Sequence, residues 1–291
     1  MKLQSGQVAV VTGAANGIGR ALSEALHARG IRVVLADIDG EALAQAAAEI
    51  GPETVAVPTD VSDPAQVQRL ADATLEHFGR VDLIFNNAGL SAGGPIWLVE
   101  PGDWRRIWSV NVEGVVNGMR TFVPLLIAAG RGHVVNTASL AGITTGMFNG
   151  PYAASKHAVV ALTEVLRGEL ALLAPEIGAT VVCPGPVDTQ MMRAVTDGIG
   201  ALLGDGDGDA LPPQPAEGWF AALSPGQWQR LAPTLAPIIH LAAEMMPAAR
   251  AAEIILAAVE SDRLYVTTHP HWTPQVTDRV TRMVADLDAS T

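Results

Sequence analysis

Cysteine is nearly absent: Cys183 stands alone among 291 residues. No disulfide can close within the chain, and a single thiol suits a reducing compartment. Charge is sparse as well. Charged side chains make up 16% of the sequence against 49% hydrophobic ones, a balance that predicts a folded core and excludes a disordered chain. Basic residues are outnumbered 18 to 30, for a formal net charge of −12. That sign repels a phosphate backbone and argues against a nucleic-acid partner. A nest of backbone N–H groups can still hold the phosphates of a small anionic cofactor. The stretch Met1 to Gln7 has no apolar signal-peptide region, and no uncharged apolar run approaches the roughly 18 residues of a membrane helix. These absences predict a soluble cytoplasmic protein with no membrane partner. The scarcest reactive side chains are lysine, at Lys2 and Lys156 only, and tyrosine, at Tyr152 and Tyr265 only.

What is present is an alternation of short β-branched runs with longer helical stretches, the pattern of βαβ units and a parallel sheet. Strands are expected at 8–12, 32–37, 54–57, 83–86, 133–137, 180–183 and 264–267, mostly apolar without alternation, as in a sheet covered on both faces. Helices are expected at 17–29, 40–50, 64–78, 104–129, 151–173 and 248–261. Asp63 before Pro64 is an N-cap followed by proline at N1. The fold class is α/β, a doubly wound parallel sheet in a single domain spanning 1–291. Residues 191–247 break the rhythm. They hold Gly204-Asp205-Gly206-Asp207-Gly208-Asp209, Pro212-Pro213, and the aromatic residues Trp219, Phe220 and Trp228. The acidic run lacks the glutamate that completes a calcium loop, so it reads as an acidic tip. The insertion reads as a substrate lid, or alternatively as core or interface packing.

The first strand runs into Thr12-Gly13-Ala14-Ala15-Asn16-Gly17-Ile18-Gly19. Glycines there allow a tight turn and a close backbone approach to a pyrophosphate at a helix N-terminus. Asp37 ends the second strand. Its carboxylate suits the adenosine ribose hydroxyls of NAD and would repel a 2′-phosphate, unless it merely caps the next helix, which Asp39 could do instead. Asp60-Val61 and Asn86-Asn87-Ala88-Gly89 also lie at strand ends, where open α/β sheets bind ligands. Asn86 fits a structural role as well as a cofactor contact, while Asn87, Ala88 and Gly89 are better placed for the cofactor. Tyr152 and Lys156 stand at i and i+4, one face of a helix. A phenol with a pKa near ~10 needs a neighbouring cation to serve as a base at neutral pH. Ser139, at the end of the fifth strand, can hydrogen-bond a substrate oxygen as charge develops on it. Asn111 is an amide inside a long helix, where it needs a partner. His269-Pro270-His271 reads as a turn, and no metal is implied.

Together these motifs resemble the short-chain dehydrogenase/reductase family, from Gln7 to about Thr189 and again at the last strand. The resemblance implies a Rossmann-type fold and a catalytic tetrad of Asn111, Ser139, Tyr152 and Lys156. It makes Tyr152 the acid/base and has Ser139 orient the substrate oxygen. Lys156 would bind the nicotinamide ribose and lower the phenol pKa, while Asn111 holds a relay water. Pro184-Gly185-Pro186-Val187-Asp188-Thr189 resembles the family segment in which the Val187 backbone and the Thr189 hydroxyl grip the carboxamide. The cofactor-binding set expected from all of this is Gly13, Asn16, Gly17, Ile18, Gly19, Asp37, Asp60, Val61, Asn87, Ala88, Gly89, Tyr152, Lys156, Pro184, Gly185, Val187 and Thr189. The expected reaction is NAD-dependent interconversion of a bulky, hydrophobic secondary alcohol and its ketone, with Met147 and Phe148 furnishing one wall of the site. Alternatives are a same-fold epimerase, dehydratase or double-bond reductase, and a catalytically silent NAD-binding regulator. The resemblance also implies a homo-oligomer, a dimer or tetramer, through the helices at 104–129 and 151–173.

Overall fold

Apolar runs short enough to be strands alternate with helices from the start of the chain: β1 (Val8–Thr12), α1 (Gly17–His27), β2 (Arg32–Asp37), α2 (Gly40–Ile50), β3 (Thr54–Pro58), α3 (Pro64–Phe78) and β4 (Leu83–Asn86). Next come α4 (Pro101–Trp108), a π turn at Ser109–Glu113, α5 (Gly114–Ala129), β5 (Gly132–Thr137), α6 (Gly150–Leu173) and β6 (Ile177–Cys183). The last part holds β7 (Val187–Asp188), α7 (Gln190–Leu203), α8 (Pro225–His240), β8 (Met246–Pro247), α9 (Ala248–Glu260), β9 (Tyr265–Thr267) and α10 (Thr273–Asp288). This computed structural model describes residues 1–203, 214, 219–240 and 244–289.

Seven strands form one parallel sheet in the order β3-β2-β1-β4-β5-β6-β9, the doubly wound Rossmann-type arrangement. Strand order reverses between β1 and β4, so the crevice for a ligand opens at their carboxyl ends. Side chains alternate across each strand. Ala9 and Val11 point to the face covered by Leu22 and Leu26 of α1 and Ile255 and Val259 of α9. Val8 and Val10 point to the face covered by Val67 and Leu70 of α3, Phe122 and Leu126 of α5, and Leu170 of α6. Both faces are buried, which is why the strands are apolar without alternation.

Local signals set the helix boundaries. The Asp63 carboxylate accepts the Ala65 N–H at 2.9 Å, Pro64 follows, and Gly79 ends α3 in the left-handed region at φ 68°. The expected helix at 104–129 starts earlier, at Pro101, and widens into the π turn at its middle. By length and composition Pro101–Ala129 is apolar enough to cross a membrane. Val115, Phe122 and Leu126 spend that apolarity on the sheet, where they are buried. Five elements were not expected: the two-residue strands β7 and β8, α7 and α8 in the insertion, and α10 beyond the His269–His271 turn. The acidic run Gly204–Asp209 and Pro212-Pro213 lie outside the described residues.

Candidate active site

The turn after β1 is shaped by contacts that only glycine permits. Gly13 has φ 65°, and a Cβ there would stand 2.8 Å from the Ala88 Cα. A Cβ on Gly19 would overlap the Gly13 carbonyl oxygen. Glycine therefore brings the first turn of α1 down onto the strand end and leaves backbone N–H groups facing the crevice. The Thr12 hydroxyl accepts the Asn87 and Ala88 N–H groups at 2.9 and 3.0 Å, while the Asn87 amide donates to the Thr12 carbonyl at 3.0 Å. These bonds lock the β1 and β4 loops into one wall.

At the end of β2, Asp37 accepts the Ala15 N–H at 3.1 Å through one oxygen and the Asp39 N–H at 3.2 Å through the other. Asp39 itself caps α2, accepting the Ala42 N–H at 3.1 Å. Asp37 is thus not the helix cap. A carboxylate has about four acceptor sites, so its remaining lone pairs stay available beside the glycine-rich turn. No Arg or Lys occupies Ala14, Ala15, Asn16 or Ile38.

Beside this turn opens a cavity of about 1050 Å³. Ser139, Tyr152 and Lys156 line it together with Gly13, Asn16, Gly17, Ile18, Asn87, Gly89, Pro184, Gly185, Val187 and Thr189. The Lys156 ammonium is buried, donates to the Thr137 carbonyl at 2.8 Å, and lies 5.7 Å from the centre of the Tyr152 ring. Burial pushes its pKa down to about 8, with the Cys183 thiolate form opposing that shift. Burial also pushes the Tyr152 phenol up, opposed by its hydrogen bond with Ser139. In the chain alone, desolvation therefore outweighs the lowering of the phenol expected from Lys156. Ser139 is fixed at the strand end because its hydroxyl accepts the Ala141 N–H at 3.1 Å.

The remaining expected residues stand behind the wall. The Asn111 oxygen accepts the Leu90 N–H at 2.8 Å, and its amide donates to the Leu90 carbonyl and the Ser155 hydroxyl, both at 2.9 Å. These bonds tie the π turn to the β4 loop at Leu90. Asp60 accepts the Ser62 N–H at 2.9 Å and the Ser62 hydroxyl at 2.7 Å. Val61 packs at Gly114, and its carbonyl accepts the Asn117 amide at 2.9 Å. Neither these two nor Gly19, Asp37 and Ala88 line the cavity. Asn86, left open between two roles, donates to the Asn136 amide oxygen at 2.8 Å inside the core.

Met147, Phe148, Met191, Met192 and Phe220 complete the apolar side of the cavity. Phe148 adopts φ 62°, an uncommon conformation for a bulky residue, and its carbonyl accepts the Gly94 N–H at 2.7 Å. Thr189 caps α7, its hydroxyl accepting the Met192 N–H at 3.2 Å, so the helix leaves directly from the cavity rim. Trp228, placed in the insertion with Phe220, instead forms a small separate core with Leu231 and Ala232, its ring edge-on to Phe220 at 6.0 Å. The sequence reading missed Trp272 and Gln275, which reach the cavity from the C-terminal side. It also missed His269, a buried support whose ring fills the space a side chain at Gly185 would need. The apolar spacing Val276, Val280, Val284 and Leu287 was the available signal for α10.

NAD fits the residues present. The glycine turn leaves no room for a Cβ, the N-terminus of α1 opens on the crevice, and Asp37 keeps free acceptor sites at the ribose end. Residues 7–200 match the short chain dehydrogenase family. The chain is 42% identical over 207 residues to 1-deoxy-11-beta-hydroxypentalenate dehydrogenase of Streptomyces exfoliatus, covering 69% of this chain and 74% of that one. It is 31% identical over 292 residues to the CLA biosynthesis dehydrogenase/reductase of Lactiplantibacillus plantarum, covering 98% and 96%. Its fold superposes with TM-score 0.81 on a short chain dehydrogenase/reductase from Burkholderia phymatum in complex with NAD, at 36% identity over 98% of this chain and 97% of that one. With the parallel sheet, the glycine turn and the Tyr152–Lys156 pair all in place, the chain belongs to the short-chain dehydrogenase/reductase family of oxidoreductases.

Proposed function

We propose that the protein interconverts a secondary alcohol and its ketone with NAD, on a bulky, mainly hydrophobic substrate. The observation that carries this reading is the convergence of Ser139, Tyr152 and Lys156 on one cavity whose opposite side is apolar. When bound, the nicotinamide supplies the hydride acceptor or donor. In the oxidative direction the Tyr152 oxygen takes the hydroxyl proton. The Ser139 hydroxyl steadies the substrate oxygen as charge builds on it, and the Lys156 ammonium stabilises the phenolate and holds the nicotinamide ribose. Asp37 takes the adenosine ribose hydroxyls, while Val187 and Thr189 hold the carboxamide. Asn111 acts from behind, fixing the β4 loop through Leu90.

The names of relatives support the reaction class and leave the substrate open, since a hydroxypentalenate dehydrogenase and a sorbitol dehydrogenase both align with this chain. The apolar wall of Met147, Phe148, Met191, Met192 and Phe220 favours a hydrophobic body over a polyol. Exposed Trp108, Val165, Leu172 and Leu173 on α4 and α6 support assembly into a dimer or tetramer. The test is a screen of secondary alcohols with NAD and of ketones with NADH, followed at the NADH absorbance. Net conversion of bulky apolar substrates is expected. Turnover without net NADH change would mark an epimerase, and NAD binding without any turnover would mark a silent binding protein.

A further inference from the structure

Helix α10 is sixteen residues long, and none of them is buried. Within its own chain it packs chiefly against the turn Pro270–Trp272 that precedes it. A helix of this length is marginal in water by itself, and three valines and three threonines lower its propensity further. Its apolar residues nevertheless keep strict order. Thr273, Val276, Val280, Met283 and Leu287 recur at intervals of three, four, three and four, the spacing with which one helix seats against another. Val284 widens the stripe on one side. Val280, Met283, Val284 and Leu287 are all exposed, so among the described residues nothing supplies the cover that this spacing calls for.

The charges beside the stripe select the occupant. Arg279 and Asp286 stand seven residues apart on one flank, two helical turns, too far to pair with each other. When two copies of α10 lie antiparallel about a two-fold axis, Val280 meets the partner's Met283 and Val276 meets the partner's Leu287. Arg279 then falls opposite the partner's Asp286, and the symmetry makes that pair twice. In a parallel arrangement Arg279 faces the partner's Val284 and gains nothing. The whole chain carries −12, but α10 holds two arginines against three aspartates, so two copies meet there with little repulsion. It has no tryptophan or phenylalanine to enter a lipid surface, and its polar face is not basic.

We infer that α10 is a self-recognition arm: two chains pair through antiparallel α10 helices, with Arg279 set against the partner's Asp286. The root of the arm lies at the reaction cavity, which Trp272 and Gln275 line. Pairing thus ties the C-terminal rim of each cavity to a second chain. It is independent of the chemistry proposed for Tyr152 and holds whatever substrate is turned over.

Engineered cysteines test the register. A disulfide needs Cα atoms within about 7 Å, and eleven residues of helix span about 16 Å. In the antiparallel pair Val276 is within reach of the partner's Leu287 and about 16 Å from the partner's Val276. Cys183, the one native cysteine, is buried. The full-length protein with Val276→Cys/Leu287→Cys should give a covalent dimer on a non-reducing gel after mild oxidation. Val276→Cys or Leu287→Cys alone should not. Adding Arg279→Asp to the double variant should slow cross-linking by ~10-fold or more, because two attractions become repulsions. Adding Asp286→Arg as well should restore the rate. No covalent dimer from the double variant overturns the inference. So does cross-linking as fast by either single variant, which marks a parallel pair, or a rate unmoved by Arg279→Asp. Sedimentation with phosphatidylcholine vesicles in place of a covalent dimer would give the stripe to lipid and overturn it equally. Thermal unfolding and NAD affinity check that each variant is folded.

Discussion

Burial pushes the Tyr152 phenol above its ordinary pKa, and the Ser139 hydroxyl is the group that opposes it. The phenol therefore sits protonated in the chain alone, ready to donate to a carbonyl, while the oxidative direction needs added positive charge nearby. Lys156, 5.7 Å from the ring, is the resident cation. Tyr152→Phe keeps the ring and removes the proton; its kcat should fall at least ~10²-fold with NAD affinity retained. Near-normal turnover would remove Tyr152 from its role. At the other end of the crevice, the proposed reading makes Asp37 the residue that decides between cofactors. Its free acceptor sites favour ribose hydroxyls, and no cation at Ala14, Ala15, Asn16 or Ile38 offsets its repulsion of a 2′-phosphate. NAD should exceed NADP by at least ~10-fold in kcat/KM, and Asp37→Ser should narrow that gap. Equal use of the two cofactors by the unmodified protein would contradict this.

Elements built on periodicity were legible in the sequence, and elements built on single contacts were not. All seven strands of the main sheet lie where uninterrupted apolar runs place them, because parallel strands buried on both faces leave no other pattern. Two-residue strands such as β7 and β8 carry no alternation to read. The π turn was equally silent, and the three bonds that Asn111 makes from it to Leu90 and Ser155 join residues far apart in the chain. For the same reason Asn111 could be singled out by residue type, while its partners Leu90 and Ser155 came only from the structure. Glycines divide along this line too. A methyl group added at Gly168, in α6, would meet nothing within 4 Å, whereas one added at Gly19 would run into the Gly13 carbonyl. Gly168→Ala should raise unfolding free energy by about 0.8 kcal/mol, and Gly19→Ala should lose NAD binding. Denaturant melts and NAD titrations check the pair. A loss of stability in Gly168→Ala that deepens on dilution would instead place a second chain against α6.

Across the whole molecule, acid stability rests in part on a histidine beneath the sheet. His133 on β5 is buried, shares a hydrogen bond with the Thr180 hydroxyl at 2.8 Å, and has its other nitrogen 3.9 Å from Asp262. Burial pushes its pKa down to about 4, with Asp262 opposing. Between about 6.5 and 4 the unfolded chain takes up a proton that the folded chain refuses, so stability falls as pH drops through that window. From pH 7 to 4 the protein should lose about 3 kcal/mol relative to His133→Leu, measured by denaturant unfolding. Identical pH profiles for the two proteins would show that His133 titrates as though exposed.

The pairing of β7 with β8 has a further consequence. Val187 stands opposite Met246 and Asp188 opposite Pro247, and the Met246 N–H donates to the Pro186 carbonyl at 2.9 Å. Both ends of the insertion are thereby clasped at one point on the rim, and among the described residues α7 packs on α8 and β7. Closing a loop costs only about 0.6 kcal/mol more for each doubling of its length. The segment between the clasped ends is consequently an exchangeable cassette. Lengthening, trimming or grafting it should change which molecules enter the cavity while Ser139, Tyr152 and Lys156 keep their places on the sheet side.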